Sequence, residues 1–153
     1  MELIDRTAVP AHDREQFWMA LVFNVLIGNC DAHGKNYSLL YYSTAPSLAP
    51  LYDLLSTSVY DELTRRLAMS IDGAADLDDV EGRAWAQLAS EVGFAPRFQV
   101  QRMEPFVGRV RETAEILSTE PDHADPLVAE IVSGIQERAA RFGGETSAET
   151  AAG

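Results

Sequence analysis

The sequence predicts a mainly α fold with a small β-hairpin near its N-terminal end. Three observations carry that expectation. Apolar residues recur at helical spacing in four stretches, roughly 14–27, 80–92, 96–117 and 126–142. Two short runs rich in aromatic and aliphatic residues, "YSLLYY" and "LAPLYDLLS", flank a turn-like "STAPS". Glycine, proline and acidic residues punctuate the joins between these segments.

The first ten residues read as a lead-in closed by Pro10, followed by a helix from about Arg14 to Ile27. Asp13 is placed as its cap, with Gln16 completing a capping box. Phe17, Leu21 and Val25 share one row of that helix, with Trp18, Val22 and Leu26 beside them, and Gly28 suits its end. Residues 29–36 form a polar loop, and the hairpin strands fall near 37–42 and 48–52. A short helix is expected over 58–66, then an extended piece at "LAMSI". The row Trp85, Leu88, Ala89, Val92 predicts the next helix, with Gly93 after it. Pro96 opens a long helix expected to bend at Pro105. Asp125 and Pro126 open the last one, where Leu127, Ile131 and Ile135 are spaced by four. The tail "GGETSAETAAG" is small and polar, the composition of a disordered terminus.

The length of 153 residues fits one domain with a real core. The net charge of −12 is spread along the chain and argues against direct binding to nucleic acid, whose phosphates such a surface repels. No apolar run reaches the roughly 18 residues of a membrane span, and the N-terminus is not a secretory signal. A single cysteine gives no disulfide framework and fits a reducing, cytoplasmic setting. Eleven of the 12 basic residues are arginine, and the lone lysine, Lys35, lies inside the polar loop.

That loop concentrates chemistry. Between two apolar runs stand Asn29, Cys30, Asp31, His33, Lys35 and Asn36. Phosphoryl transfer needs an acid to take the proton of the attacking hydroxyl, and oxygen ligands for Mg²⁺ on the nucleotide phosphates. Protein kinases supply these from an Asp followed five positions later by Asn, then a hairpin that delivers a second Asp. Here Asp31 is followed by Asn36, and Asp53 lies at the end of the expected hairpin. The hairpin would carry Asp53 back beside Asn36. Two protein oxygen ligands suffice for Mg²⁺, which keeps several waters.

At these residues the chain resembles the HipA-like family, the serine/threonine kinases of bacterial toxin–antitoxin modules. "LIGNCDAHGKNYSLL" and "LAPLYDLLST" are similar to that family's catalytic loop and metal-binding segment, and "LAMSIDG" to a divergent form of its next segment. The similarity covers about Phe17 to Val92. It implies a protein-kinase-like C-terminal lobe over residues 1–142, with 143–153 as the tail. Asp31 would be the catalytic aspartate, Asn36 and Asp53 the metal ligands, and Lys35 and His33 the candidates beside the nucleotide. It further implies ATP and Mg²⁺, a protein substrate such as an aminoacyl-tRNA synthetase, and a HipB-like DNA-binding antitoxin. One departure stands out: no Gly-rich loop and no strand lysine precede Asp31. The nucleotide-binding N-lobe is therefore expected on a separate chain or in a missing portion, and the isolated chain is expected to be inactive. Ser70 and Asp72 also stand where the family more often has a basic residue and glycine.

Plainer roles compete with these. Asp31 suits a turn, Asn36 a hairpin entry, and Asp53 a helix cap before "LLST". His33 fits a hydrogen-bonding loop residue better than a base, since Asp31 already fills that role. Lys35 is either a point charge for a transferring phosphate or a solvated side chain. A zinc site from Cys30, His33 and His12 is short of ligands, and Cys30 with His33 makes a poor nucleophile–base pair. The rival from another class is a non-catalytic remnant that binds a toxin–antitoxin partner.

Overall fold

In the computed structural model, residues 2–41 and 44–143 are described. A helix through the middle of the fold, α1 (Pro10–Ile27), organises everything else. Pro10 is its first residue, so the helix begins earlier than the expected Arg14. Asp13 is consequently inside the first turn and does not cap it. Its carboxylate is buried and accepts the backbone N–H of Leu48 at 3.2 Å, which ties α1 to the hairpin. At the other end Gly28 takes the left-handed conformation (φ 75°), and its N–H donates to Asn24 and Val25 carbonyls. The expected stop is borne out for a stated reason: a residue with a Cβ resists that backbone conformation.

Trp18, Val22, Val25 and Leu26 of α1 are buried together with residues from three other helices. These are α2 (Gly82–Glu91), α3 (Pro96–Ser118) and α4 (Pro126–Gly143). Trp18 meets Trp85 of α2 edge to face at 5.7 Å, and Trp85 stacks on Phe142 of α4 at 5.4 Å. Burying each such side chain stabilises the fold by on the order of 1.5–3 kcal/mol. The interlock therefore fixes α2 and α4 against α1. The Asp125 carboxylate accepts the Leu127 N–H at 2.7 Å, as the sequence predicts for the start of α4. Pro105 lies within α3.

The expected hairpin is present but short. It pairs β1 (Leu39–Leu40) with β2 (Ser47–Leu48), antiparallel, Leu39 opposite Leu48. A second hairpin was not expected. It pairs β3 (Arg66–Ile71) with β4 (Ala74–Asp76), Ile71 opposite Ala74. Its two turn residues, Asp72 and Gly73, both have positive φ, as a tight hairpin turn requires. The helix expected over 58–66 is absent. A single 3₁₀ turn, Thr57–Val59, stands there, and the chain then extends into β3. Thr57 and Ser58 are held by the end of α1: the Ser58 N–H donates to the Gly28 carbonyl at 3.0 Å, and Thr57 Oγ1 accepts the Cys30 N–H at 2.8 Å. Those bonds fix a turn in place of a helix. Of the expected tail, Gly143 ends α4 and 144–153 lie outside the described residues, as does Tyr42 at the end of the first expected strand.

Candidate functional site

The polar loop begins where α1 stops, and three segments converge on it. Thr57 and Ser58 brace it from one side. The Ala68 N–H of β3 donates to the Cys30 carbonyl at 2.8 Å from another. The third is Asp53, delivered by the β1–β2 hairpin. Asn36 and Asp53, 17 positions apart, are in direct contact: Asn36 Nδ2 donates to Asp53 Oδ2. Asn36 is buried and Asp53 is exposed at the rim. Asp53 adopts a left-handed backbone (φ 59°), uncommon outside glycine, which marks a residue whose position is imposed by its surroundings.

Asn29 joins the two halves. Its Nδ2 donates to the Asp53 carbonyl at 2.9 Å and to Asn24 Oδ1 at 2.8 Å. Its Oδ1 accepts the Asp31 N–H at 3.2 Å. Asn24, buried within the apolar run of α1, donates in turn to the Ala20 carbonyl and to the Tyr37 hydroxyl. A chain of amides therefore fixes the backbone of both Asp31 and Asp53 to the central helix. The sequence marked Asn29 only as one of the polar residues of the loop and passed over Asn24. The available signal was a buried-type position of α1 occupied by an amide, which needs partners.

The remaining loop residues divide. Asp31 is exposed, its carboxylate at the surface. Lys35 is exposed, and its carbonyl accepts the Tyr52 hydroxyl at 2.5 Å. His33 is half-buried, and its N–H donates to Asn36 Oδ1 at 2.9 Å. Cys30 is buried in the core, its Sγ 3.5 Å from the Arg65 carbonyl, and burial pushes its thiol up. That environment is the opposite of what a reactive thiolate needs. No cluster of three or more His, Cys, Asp or Glu able to hold a metal occurs among the described residues.

The donor set at Asn36 and Asp53 does fit a hard, oxygen-seeking divalent ion, with an amide and a carboxylate side by side and solvent at the rim. As placed, however, Asn36 turns its nitrogen toward Asp53 and its oxygen toward His33 N–H. The two bonds fix this amide orientation by donor and acceptor logic. An ion bridging the pair would require the Asn36 amide to turn.

Away from the loop, Arg65 pairs with Asp78 through Nε at 2.9 Å, and Arg141 of α4 reaches the same carboxylate at 3.2 Å. The Arg65 hydrogen bond, helped by Arg141, holds the Asp78 carboxyl below its ordinary value. This exposed clamp joins the start of β3 to α4.

Comparison with known proteins places these features. The family model of the HipA-like C-terminal domain matches residues 1–117. A putative kinase, Y4mE, of Sinorhizobium fredii is 44% identical over 93 residues, covering 60% of this chain and 22% of that protein. The serine/threonine-protein kinase toxin HipA of Shewanella oneidensis is 28% identical over 109 residues, covering 71% of this chain and 25% of that protein. Among solved structures, a chain of the Shewanella oneidensis MR-1 toxin–antitoxin complex of HipA, HipB and operator DNA superposes with a TM-score of 0.81 at 26% identity. It covers 92% of this chain and 34% of that one. The chain thus spans about a quarter of the length of these curated relatives. With the family model matching well over half of its residues, the chain belongs to the HipA-like family and corresponds to its C-terminal domain.

Proposed function

We propose that this chain is the catalytic, kinase-like C-terminal lobe of a HipA-like serine/threonine kinase, the toxin of a toxin–antitoxin module. Completed by a nucleotide-binding lobe, it transfers the γ-phosphoryl group of ATP to a protein hydroxyl. The observation that carries the proposal is the meeting of Asn36 and Asp53 at the end of a loop that begins with Asp31, within a HipA-like domain. Asp31 accepts the proton of the attacking hydroxyl, and its exposure leaves it reachable by a substrate protein. Asn36 and Asp53 are the residues that would hold Mg²⁺, which when bound neutralises charge on the nucleotide phosphates. Lys35, exposed and the chain's lone lysine, supplies a point charge beside the phosphates. His33 contributes through its backbone bond to Asn36, which shapes the loop.

The HipA–HipB–DNA complex supports a HipB-like antitoxin as partner. A protein substrate of the aminoacyl-tRNA synthetase type and a cytoplasmic location follow from the family resemblance alone. Among the described residues, no helix is long and apolar enough to cross a membrane. A partner-binding role without catalysis is the second reading. It draws on the exposed Leu51, Tyr52, Leu54 and Leu55, which flank Asp53 in the chain and leave apolar surface open to a partner.

Calorimetry with ATP and Mg²⁺ separates the two. The catalytic reading predicts weak or no ATP binding by this chain and Mg²⁺-dependent binding once the N-terminal portion of a HipA-like kinase is added. No binding by a folded complex of the two favours the remnant.

A further inference from the structure

We infer that Arg138, on the last helix and outside the segment matched by the family model, is a positioning residue for the catalytic loop. It is held in a slot between Gly28 and Gly134. The inference takes its functional meaning from the proposed site, but its geometry stands independently.

Arg138 is 5% exposed, so its guanidinium lies inside the fold. Nε donates to the Leu26 carbonyl at 2.8 Å, one of the last carbonyls of α1, which the helix itself leaves unpaired. Two glycines make room for the planar group. A Cβ on Gly134, one turn earlier on α4, would lie 2.7 Å from Nη2, 2.9 Å from Nη1 and 3.1 Å from Cζ. A Cβ on Gly28 would lie 3.0 Å from Nη2 and would also collide with Ser58 Oγ. The guanidinium therefore lies flat against Gly134 with Nη2 facing the residue from which the catalytic loop departs. Nη2 has no hydrogen-bond partner among the described residues. Burial pushes the guanidinium down to about 10, so it remains charged at neutral pH. A buried charge with one nitrogen unpaired is costly, and leucine or methionine would fill a core at lower cost. What arginine alone supplies is a flat group that reaches from α4 to the end of α1 and fills the gap under a left-handed glycine.

The consequence runs into the loop. The Gly28 carbonyl accepts from Ser58 N–H and from Thr57 Oγ1, and Thr57 Oγ1 also accepts the Cys30 N–H. Asn29, next in the chain, fixes the Asp31 N–H and the Asp53 carbonyl. Moving the guanidinium shifts Gly28, and with it both carboxylate-bearing segments.

Gly134→Ala in the full 153-residue chain tests this, because two effects predict opposite signs. Alanine is the better helix former, so helix propensity alone predicts a higher melting temperature. The slot predicts that the new methyl displaces the guanidinium. The melting temperature then falls, the backbone amide NMR signals of Asn29, Cys30, Asp31 and Ser58 move, and hydrogen exchange at the Asn29 amide quickens at least tenfold. Gly108→Ala on α3, where a Cβ meets nothing within 4 Å, is the control and should raise stability without moving these signals. Arg138→Lys keeps the charge and removes the plane. It should move the same four signals while those of α2 and α3 stay in place, and it decides the matter if Gly134→Ala does not fold. The inference is overturned if Gly134→Ala behaves like Gly108→Ala, or if Arg138→Lys leaves the loop signals unmoved. Absence of Mg²⁺-dependent ATP binding by a folded two-lobed complex refutes the proposed site but leaves this result unaffected.

Discussion

Replacing Asn29 with alanine should cost about 4 kcal/mol of folding stability, and the structure says where each part is lost. Asn29 is 4% exposed and makes three hydrogen bonds of 2.8, 2.9 and 3.2 Å. The bond to Asn24 Oδ1 is buried at both ends, so its loss leaves an acceptor stranded, at about 1–3 kcal/mol. The Asp53 carbonyl and the Asp31 N–H belong to exposed residues and can recover water, so each contributes nearer the ordinary net value of about 0.5–1.5 kcal/mol. Against a total stability of roughly 5–15 kcal/mol, the variant should still fold. Urea denaturation should show a lower midpoint at unchanged slope. Asn29→Asp is the shape-matched comparison: it keeps the acceptor for Asp31 N–H but cannot donate to Asn24 or Asp53, so it should lose at least as much. A loss below about 1 kcal/mol in both variants would mean that the amide chain does not organise the loop.

The same geometry sets other outcomes. Gly28→Ala should destabilise by more than the roughly 1–2 kcal/mol of a left-handed alanine, since its methyl also meets Ser58 Oγ, and a thermal melt reads the loss. Titration with Mg²⁺ should move the His33 amide signal in NMR, because Asn36 must withdraw its oxygen from His33 N–H to serve an ion; an Asp53 response with His33 unchanged would rule out Asn36 as a ligand. The Asp78 clamp should be pH-dependent in a definite direction. Its carboxyl is held below the ordinary 3.8, so its stabilisation is present above that pH and is lost as pH falls through and below it. Asp78→Asn should therefore lower the melting temperature at neutral pH, and its difference from the wild type should shrink as pH falls below 3.8.

Much of the helical frame was legible because its signals are local. Gly28 ends α1, and Asp125 with Pro126 begins α4, by chemistry that neighbouring residues read off one another. The paired polar residues were legible as a pattern of spacing, and the structure brings Asn36 to Asp53. Misses arose where distant partners decided the outcome. Asp13 reads as a cap, yet Pro10 starts the helix first and Leu48 claims the carboxylate. Residues 58–66 have helix-like composition, but Gly28 and Cys30 hold Thr57 and Ser58 in a turn. The β3–β4 hairpin did have a local signal, the Asp72–Gly73 pair after "LAMSI", whose turn propensity outweighed the shortness of the flanking runs. Arg138 had none: nothing in its own neighbourhood says that it crosses the core to Leu26.

The most direct measurement is phosphoryl transfer itself. This chain would be joined with the N-terminal portion of a HipA-like kinase and given radiolabelled ATP, Mg²⁺ and candidate substrate protein, beside an Asp31→Asn version of the same complex. Label on serine or threonine is expected for the wild type. The Asp31→Asn complex should fold normally and lose about a thousandfold in rate, equivalent to about 4 kcal/mol of transition-state stabilisation. Undiminished transfer by Asp31→Asn, or no transfer by a folded wild-type complex that binds ATP, would contradict the proposed function.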